Sequence, residues 1–178
     1  MYKRQQEELD NEGLNANGGL SQFDEIRSEN IEEGNSWNGL VITAAGNQGL
    51  ACTDLLTCNA DAIESYAWGD TFIVVGALND QGTALEDYSN KAGILMDYFI
   101  SAPVSNMGGD LSGTSYAAPY VTGVAALIMD KWDNTDAAMT RDIIFNTADD
   151  LGAAGTDPIF GRGALNVGRA LSPIGSLN

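Results

Sequence analysis

Nineteen consecutive residues, Leu111 to Met129, carry no charge, and Asp110 and Asp130 close the run at either end. From Tyr116 onward nearly every position is apolar or small, so a helix built from this stretch is hydrophobic all round and not striped. Such a helix belongs in a protein core or a membrane. A membrane span needs about 20 mostly apolar residues. Here Ser112, Gly113, Thr114, Ser115, Pro119, Thr122 and Gly123 interrupt the run and leave only Val124 to Met129 strongly apolar. The stretch therefore predicts a core helix and no transmembrane segment. Pro119 lacks an N–H and is best tolerated in the first helical turn, which sets the helix start close to Ser115.

A serine at the start of a buried helix sits at the positive end of the macrodipole, where a forming alkoxide and a following oxyanion are stabilised. The same residue types also serve as plain N-caps, and on composition alone Ser115 or Thr114 reads as a cap. The wider pattern adds to this. Gly113, Thr114, Ser115, Ala117, Pro119, Val121 and Gly123 form G-T-S-x-A-x-P-x-V-x-G, which resembles the nucleophile motif of the subtilisin-like serine proteases, peptidase family S8. The chain departs from the commonest form at Tyr116, where Met is usual, at Ala118, and at Tyr120, where a non-catalytic His is frequent.

Leu40 to Ala45 is a short apolar, partly β-branched run ended by Gly46-Asn47, and it reads as a fully buried strand of a parallel sheet. By itself Gly-Asn is a strand-terminating turn. Its place ahead of the Gly-Thr-Ser turn resembles the family's oxyanion segment, and the resemblance implies that the Asn47 side-chain amide and the Ser115 N–H converge on one oxyanion. Catalytic roles thus fall on Ser115 and Asn47. Ala44, Ala45 and Gly46 would line the pocket for the substrate's first side chain. Further strands are predicted over Phe72–Ala77 and within Ile94–Ala102. Asp133 to Asp136 offers N-cap residues for an amphipathic helix over Ala137–Thr147. Gly161, Gly163 and Asn166 resemble the close of the protease domain in bacterial autotransporter-type members.

The resemblance covers residues 37–171 and implies an α/β, three-layer subtilisin-like fold with a mainly parallel sheet, of which only the C-terminal portion is present. Residues 1–36 read as an acidic arm with a short helix, and 172–178 as a tail. The first residues, MYKRQQEELDNEG, lack the apolar core of a signal peptide. A secreted or cell-surface location is thus implied by the family alone. With 25 acidic residues, 8 basic ones and a net charge of −17, nucleic acid is an unsuitable partner, because phosphates demand clustered Lys and Arg. A peptide or protein substrate is the partner that the family implies. No cofactor and no metal are expected.

There is no histidine in the chain. Ser-His-Asp chemistry needs a base within hydrogen-bond reach of the serine. Lys131 lies sixteen residues along the helix, roughly 24 Å away at 1.5 Å per residue. Lys91 lies in a loop and no Ser-x-x-Lys motif supports it, while a G-x-S-x-G elbow fails because Ala117 fills the fifth position. The family's catalytic Asp and His belong to the N-terminal half of its domain. Two classes follow: a serine endopeptidase portion, inactive alone and needing that missing N-terminal half as partner, or a non-catalytic binding or structural derivative of the same fold.

Cys52 and Cys58 lie close together in a polar segment without histidines, which makes a poor zinc site. A local disulfide is the preferred reading, with free thiols as the alternative, and a disulfide implies an oxidising compartment. Its stabilisation should be about 2 kcal/mol or less, because the closed loop is short. Mass spectrometry of unreduced protein should find neither thiol open to alkylation; two alkylated thiols after aerobic purification would contradict the pairing.

Overall fold

The computed structural model describes residues 39–51, 69–104 and 112–172. The acidic stretch 1–36, the Cys52 and Cys58 pair and residues 173–178 of the tail lie outside the described residues.

Three strands form one parallel sheet in the order β1-β2-β3: Val41–Ala44 (β1), Phe72–Leu78 (β2) and Phe99–Pro103 (β3). β2 is central, and its sequence FIVVGAL is buried at every position. That is what a strand covered on both faces requires, and it explains why the run shows no polar alternation. β1 departs from the expected fully buried strand: only Val41 is buried, and Ile42 to Ala44 are half-buried. The reason is its place, since among the described residues β1 pairs only with β2, from Val41↔Phe72 to Ala44↔Val75.

The third strand is shorter than its apolar run. Gly93–Tyr98 forms 3-10 turns and the strand begins only at Phe99. The backbone there finds other partners: the Ala92 and Gly93 N–H groups donate to the carbonyls of Ile159 (3.2 Å) and Pro158 (2.8 Å), and Leu95 N–H donates to Ala92 (2.9 Å). The outer edge of β3 is sealed by the closing segment. Arg162 N–H donates to Phe99 O, Ser101 N–H to Gly163 O and Leu165 N–H to Ser101 O, each at 2.8 Å. Glycine is needed on this segment because it runs flush against its neighbours. A Cβ at Gly161 would stand 2.4 Å from Phe99 O, and one at Gly163 would stand 2.2 Å from Asp149 O.

The uncharged run becomes helix α1, Thr114–Lys131. It starts at Thr114, one residue before Ser115, so Pro119 falls beyond the first turn. Its missing N–H leaves the carbonyl of the exposed Ser115 without the usual helical donor. Ala117, Val121, Val124, Ala125 and Ile128 recur at helical spacing and pack on the sheet with Ile73, Val75, Ile100 and Ala102. The opposite face is not buried as expected. Tyr120 is 42% exposed and Leu127 51% exposed. Among the described residues no helix is long and apolar enough to cross a membrane.

Helix α2, Ala137–Asn146, starts where the sequence predicts, with the Asp136 side chain accepting from Met139 N–H at 2.8 Å. It buries Ala137, Thr140, Ile143 and Ile144. A short helix α3, Val167–Ala170, is capped by Asn166, whose side chain accepts from Arg169 N–H at 2.9 Å.

The two faces of the fold should separate in a denaturation series. Replacing Ile100, which is fully buried, by Ala is expected to cost about 2 to 5 kcal/mol. Leu127→Ala on the exposed face of α1 should cost about 0.5 kcal/mol or less in the same urea titration. Equal losses would mean that the outer face is packed.

Candidate active site

Asn47 and Ser115 enter from different layers. Asn47 follows β1 in a loop that leaves the sheet at Ala45, whose N–H donates to Val75 O at 2.9 Å. Ser115 is the second residue of α1 and is exposed. Thr114 joins the two. Its N–H donates to Asn47 Oδ1 at 2.9 Å, and its hydroxyl donates to the same oxygen at 3.0 Å, across 67 residues of sequence. The Thr114 hydroxyl also accepts from Gly46 N–H at 3.1 Å. Thr114 is fully buried and Asn47 is exposed, so the clasp ties an exposed loop to the buried start of the helix.

This clasp fixes which way the Asn47 amide points. A backbone N–H can only donate, so the end of the amide facing Thr114 N must be the oxygen. The NH2 is therefore at the other end, and among the described residues it has no hydrogen-bond partner. Ser115 N–H is in the same condition: its neighbours are used, Thr114 N–H by Asn47 and Tyr116 N–H by Gly113 O at 3.0 Å. Among the described residues it is an open donor at the positive end of α1. Two free N–H donors thus lie next to one serine hydroxyl in sequence or through one hydrogen bond, which suits an oxygen atom gaining negative charge.

The first turn also settles the capping alternative. The N-cap is Gly113, with no side-chain capping bond, and the Thr114 hydroxyl is engaged with the loop instead of the helix. Gly113 has φ +128°, which disfavours any side chain. A Cβ there would also lie 3.3 Å from Asn47 Nδ2, so the glycine keeps room beside the free end of the amide.

Ala44, Ala45 and Gly46 are all half-buried and run directly into the Asn47 loop. Gly46 is held by Thr114 on one side and by Asn90 on the other, where Asn90 N–H donates to Gly46 O at 3.0 Å. Lys131 ends α1 at its far end, and its ammonium bonds Leu171 O. Lys91 is exposed, with its backbone N–H donating to Leu50 O at 2.9 Å. No group of three or more His, Cys, Asp or Glu suited to a metal ion occurs among the described residues.

Two partners in this arrangement are not legible as such in the sequence. Thr114 reads in the sequence only as a motif position or a cap, and Asn90 carries no signal at all. Neither has a local pattern that reveals a long-range bond. Thr114→Val tests the clasp: it keeps the shape, removes the hydroxyl and leaves Gly46 N–H unpaired. A loss of about 1 to 3 kcal/mol is expected by urea denaturation, together with faster amide exchange at Gly46. Unchanged stability and unchanged Gly46 protection would contradict the clasp.

The chain has known relatives. The Subtilase family model (Peptidase_S8) matches residues 13–163, a match that begins within the stretch read above as an acidic arm. An extracellular serine protease of Serratia marcescens is 33% identical over 140 residues, covering 76% of this chain and 12% of that protein. The autotransporter lipoprotein NalP of Neisseria meningitidis is 37% identical over 95 residues, covering 49% of this chain and 9% of that protein. Among solved structures, the prenylagaramide maturation protease PagA superposes with a TM-score of 0.58 at 26% identity, covering 85% of this chain and 54% of that one. The chain thus spans about an eighth or less of those two curated relatives. With its parallel sheet, its helix-borne Gly-Thr-Ser turn and a family match over most of its length, the chain belongs to the subtilase family and has a subtilisin-like α/β fold.

Proposed function

We propose that this chain is the nucleophile-bearing portion of a subtilisin-like serine endopeptidase, and that its activity requires an N-terminal half supplying the catalytic Asp and His. In this reading Ser115 Oγ attacks the scissile carbonyl of a peptide or protein substrate. The tetrahedral oxyanion then accepts hydrogen bonds from Asn47 Nδ2 and Ser115 N–H. Ala44, Ala45 and Gly46 line the pocket for the substrate's first side chain. The proton leaves Ser115 for a histidine of the N-terminal half, since this chain has none.

The observation that carries the reading is the double hydrogen bond from Thr114 to Asn47 Oδ1, which leaves the amide NH2 free beside the residue preceding Ser115. A non-catalytic scaffold has no physical need to fix an amide in that sense. Two further features support a partner half: the exposed apolar face of α1 at Tyr120 and Leu127, and the half-buried β1 at one edge of the described sheet. The Serratia relative is named as extracellular and the Neisseria relative as an autotransporter. A secreted or cell-surface location is proposed on that basis, and a Cys52–Cys58 disulfide fits such a compartment.

Peptide hydrolysis and fluorophosphonate labelling of Ser115, with and without an added segment carrying the Asp and His, test this. The chain alone should be silent and the mixture active. Ser115→Ala should abolish turnover, and Asn47→Ala should lower kcat by about 10² to 10³. Turnover by the lone chain that vanishes in Ser115→Ala would reveal another base. Persistent silence of a well-folded mixture would favour the non-catalytic derivative.

A further inference from the structure

Asn90 follows the turn after β2 and is only 3% exposed, yet both ends of its amide are occupied. Nδ2 donates to Ala45 O and to Gln48 Oε1, each at 2.9 Å. Oδ1 accepts from the N–H groups of Gln48 at 3.2 Å and Leu50 at 3.0 Å. Together with the bond from Asn90 N–H to Gly46 O, its contacts fall on residues 45, 46, 48 and 50. They bracket Asn47 on both sides without touching it. The fit is close: Gly46 has φ +98°, and a Cβ there would stand 2.6 Å from Asn90 Nδ2.

Asn90 is itself referenced to the sheet. Ser89, 1% exposed, accepts from Ala77 N–H of β2 at 3.0 Å, and its hydroxyl donates to Asn90 O at 3.1 Å. Glu86 N–H donates to Ala77 O at 2.9 Å. A continuous path therefore runs from the central strand through Ser89 and Asn90 to the loop bearing Asn47. Thr114 turns the Asn47 amide and holds the loop at Gly46, whereas Asn90 holds it at residues 45, 46, 48 and 50.

We propose that Asn90 is a positioning residue for the oxyanion site, holding the loop of residues 45–50 against β2 so that the Asn47 amide meets the reacting oxygen at bonding distance. This rests on the proposed function for its catalytic consequence and on the contacts above for its structural one. Only an amide meets the need. The site demands two donated and two accepted bonds in one plane, and a carboxylate or an aliphatic side chain of the same size supplies at most half of them. Oxyanion donors act over a narrow range of distance, and a displacement of about 1 Å at a catalytic group can cost about 10²-fold in rate.

The test uses Asn90→Asp, which keeps the shape and both accepting bonds but loses the donors, and Asn90→Ala, which loses all four. In the full chain by itself, the Gln48 and Leu50 amides should exchange at least ten-fold faster in Asn90→Ala. In both variants the Asn47 side-chain NH2 signals should shift, while protection across β2 and α1 stays at the wild-type level. In the complex with the N-terminal half, kcat for peptide hydrolysis should fall roughly 10- to 100-fold with KM within about three-fold of wild type. Unmoved Asn47 signals, a wild-type kcat, or a rise in KM with kcat unchanged would each overturn the proposal. If the wild-type complex shows no turnover, the functional reading fails, and the exchange and side-chain signals of the lone chain still decide the positioning claim.

Discussion

The contact between Thr114 and Asn47 joins the two halves of the described fold at the point where chemistry is expected. Asn47 belongs to the loop leaving β1, and Thr114 opens the helix that lies across the sheet. One oxygen, Asn47 Oδ1, accepts both the backbone N–H and the hydroxyl of Thr114. Each bond alone is worth little net free energy. Their value here is directional, because two donors on one oxygen leave the amide a single orientation and set its NH2 free. The same hydroxyl accepts from Gly46 N–H, so the strand end, the loop and the helix start share one anchor.

What was legible in the sequence follows from how local each feature is. The apolar run Phe72 to Leu78 announces a doubly covered strand through its composition, and the Asp136 cap announces α2 through residue type. Ser115 and Asn47 were legible through the family pattern in which they stand. The strand before Gly46-Asn47 was found, but its depth was not, because burial of β1 depends on which strands lie beside it. β3 starts well inside the expected stretch Ile94–Ala102, at Phe99, for a similar reason. Ile94 and Leu95 are apolar enough for a strand, yet the carbonyls of Pro158 and Ile159 take up the backbone donors of Gly93 and Ala92. Asn90 carries no local signal, because a buried amide is identified by its partners and those lie some 40 residues away.

Helix α1 shows how composition and packing can part company. Its residues are apolar on every side, but its described neighbours cover only the face with Ala117, Val121, Val124 and Ile128. The helix with two apolar faces and the chain without a histidine point the same way. Both support the proposed reading, in which a partner half completes the domain, and this chain covers 54% of the solved relative PagA. The acidic balance of the chain has no part in this, since the contacts that build the site are made by neutral groups.

The most direct test of the account is a double-mutant cycle on the isolated chain, combining Asn47→Ala with Thr114→Val and reading stability by urea denaturation. The variants remove opposite ends of one hydrogen bond. If the clasp organises the site, the losses should be non-additive, with a coupling energy of about 1 kcal/mol or more. Losses that add within about 0.3 kcal/mol would show that the two side chains act independently, and the Thr114 hydroxyl would then have no part in holding the Asn47 amide.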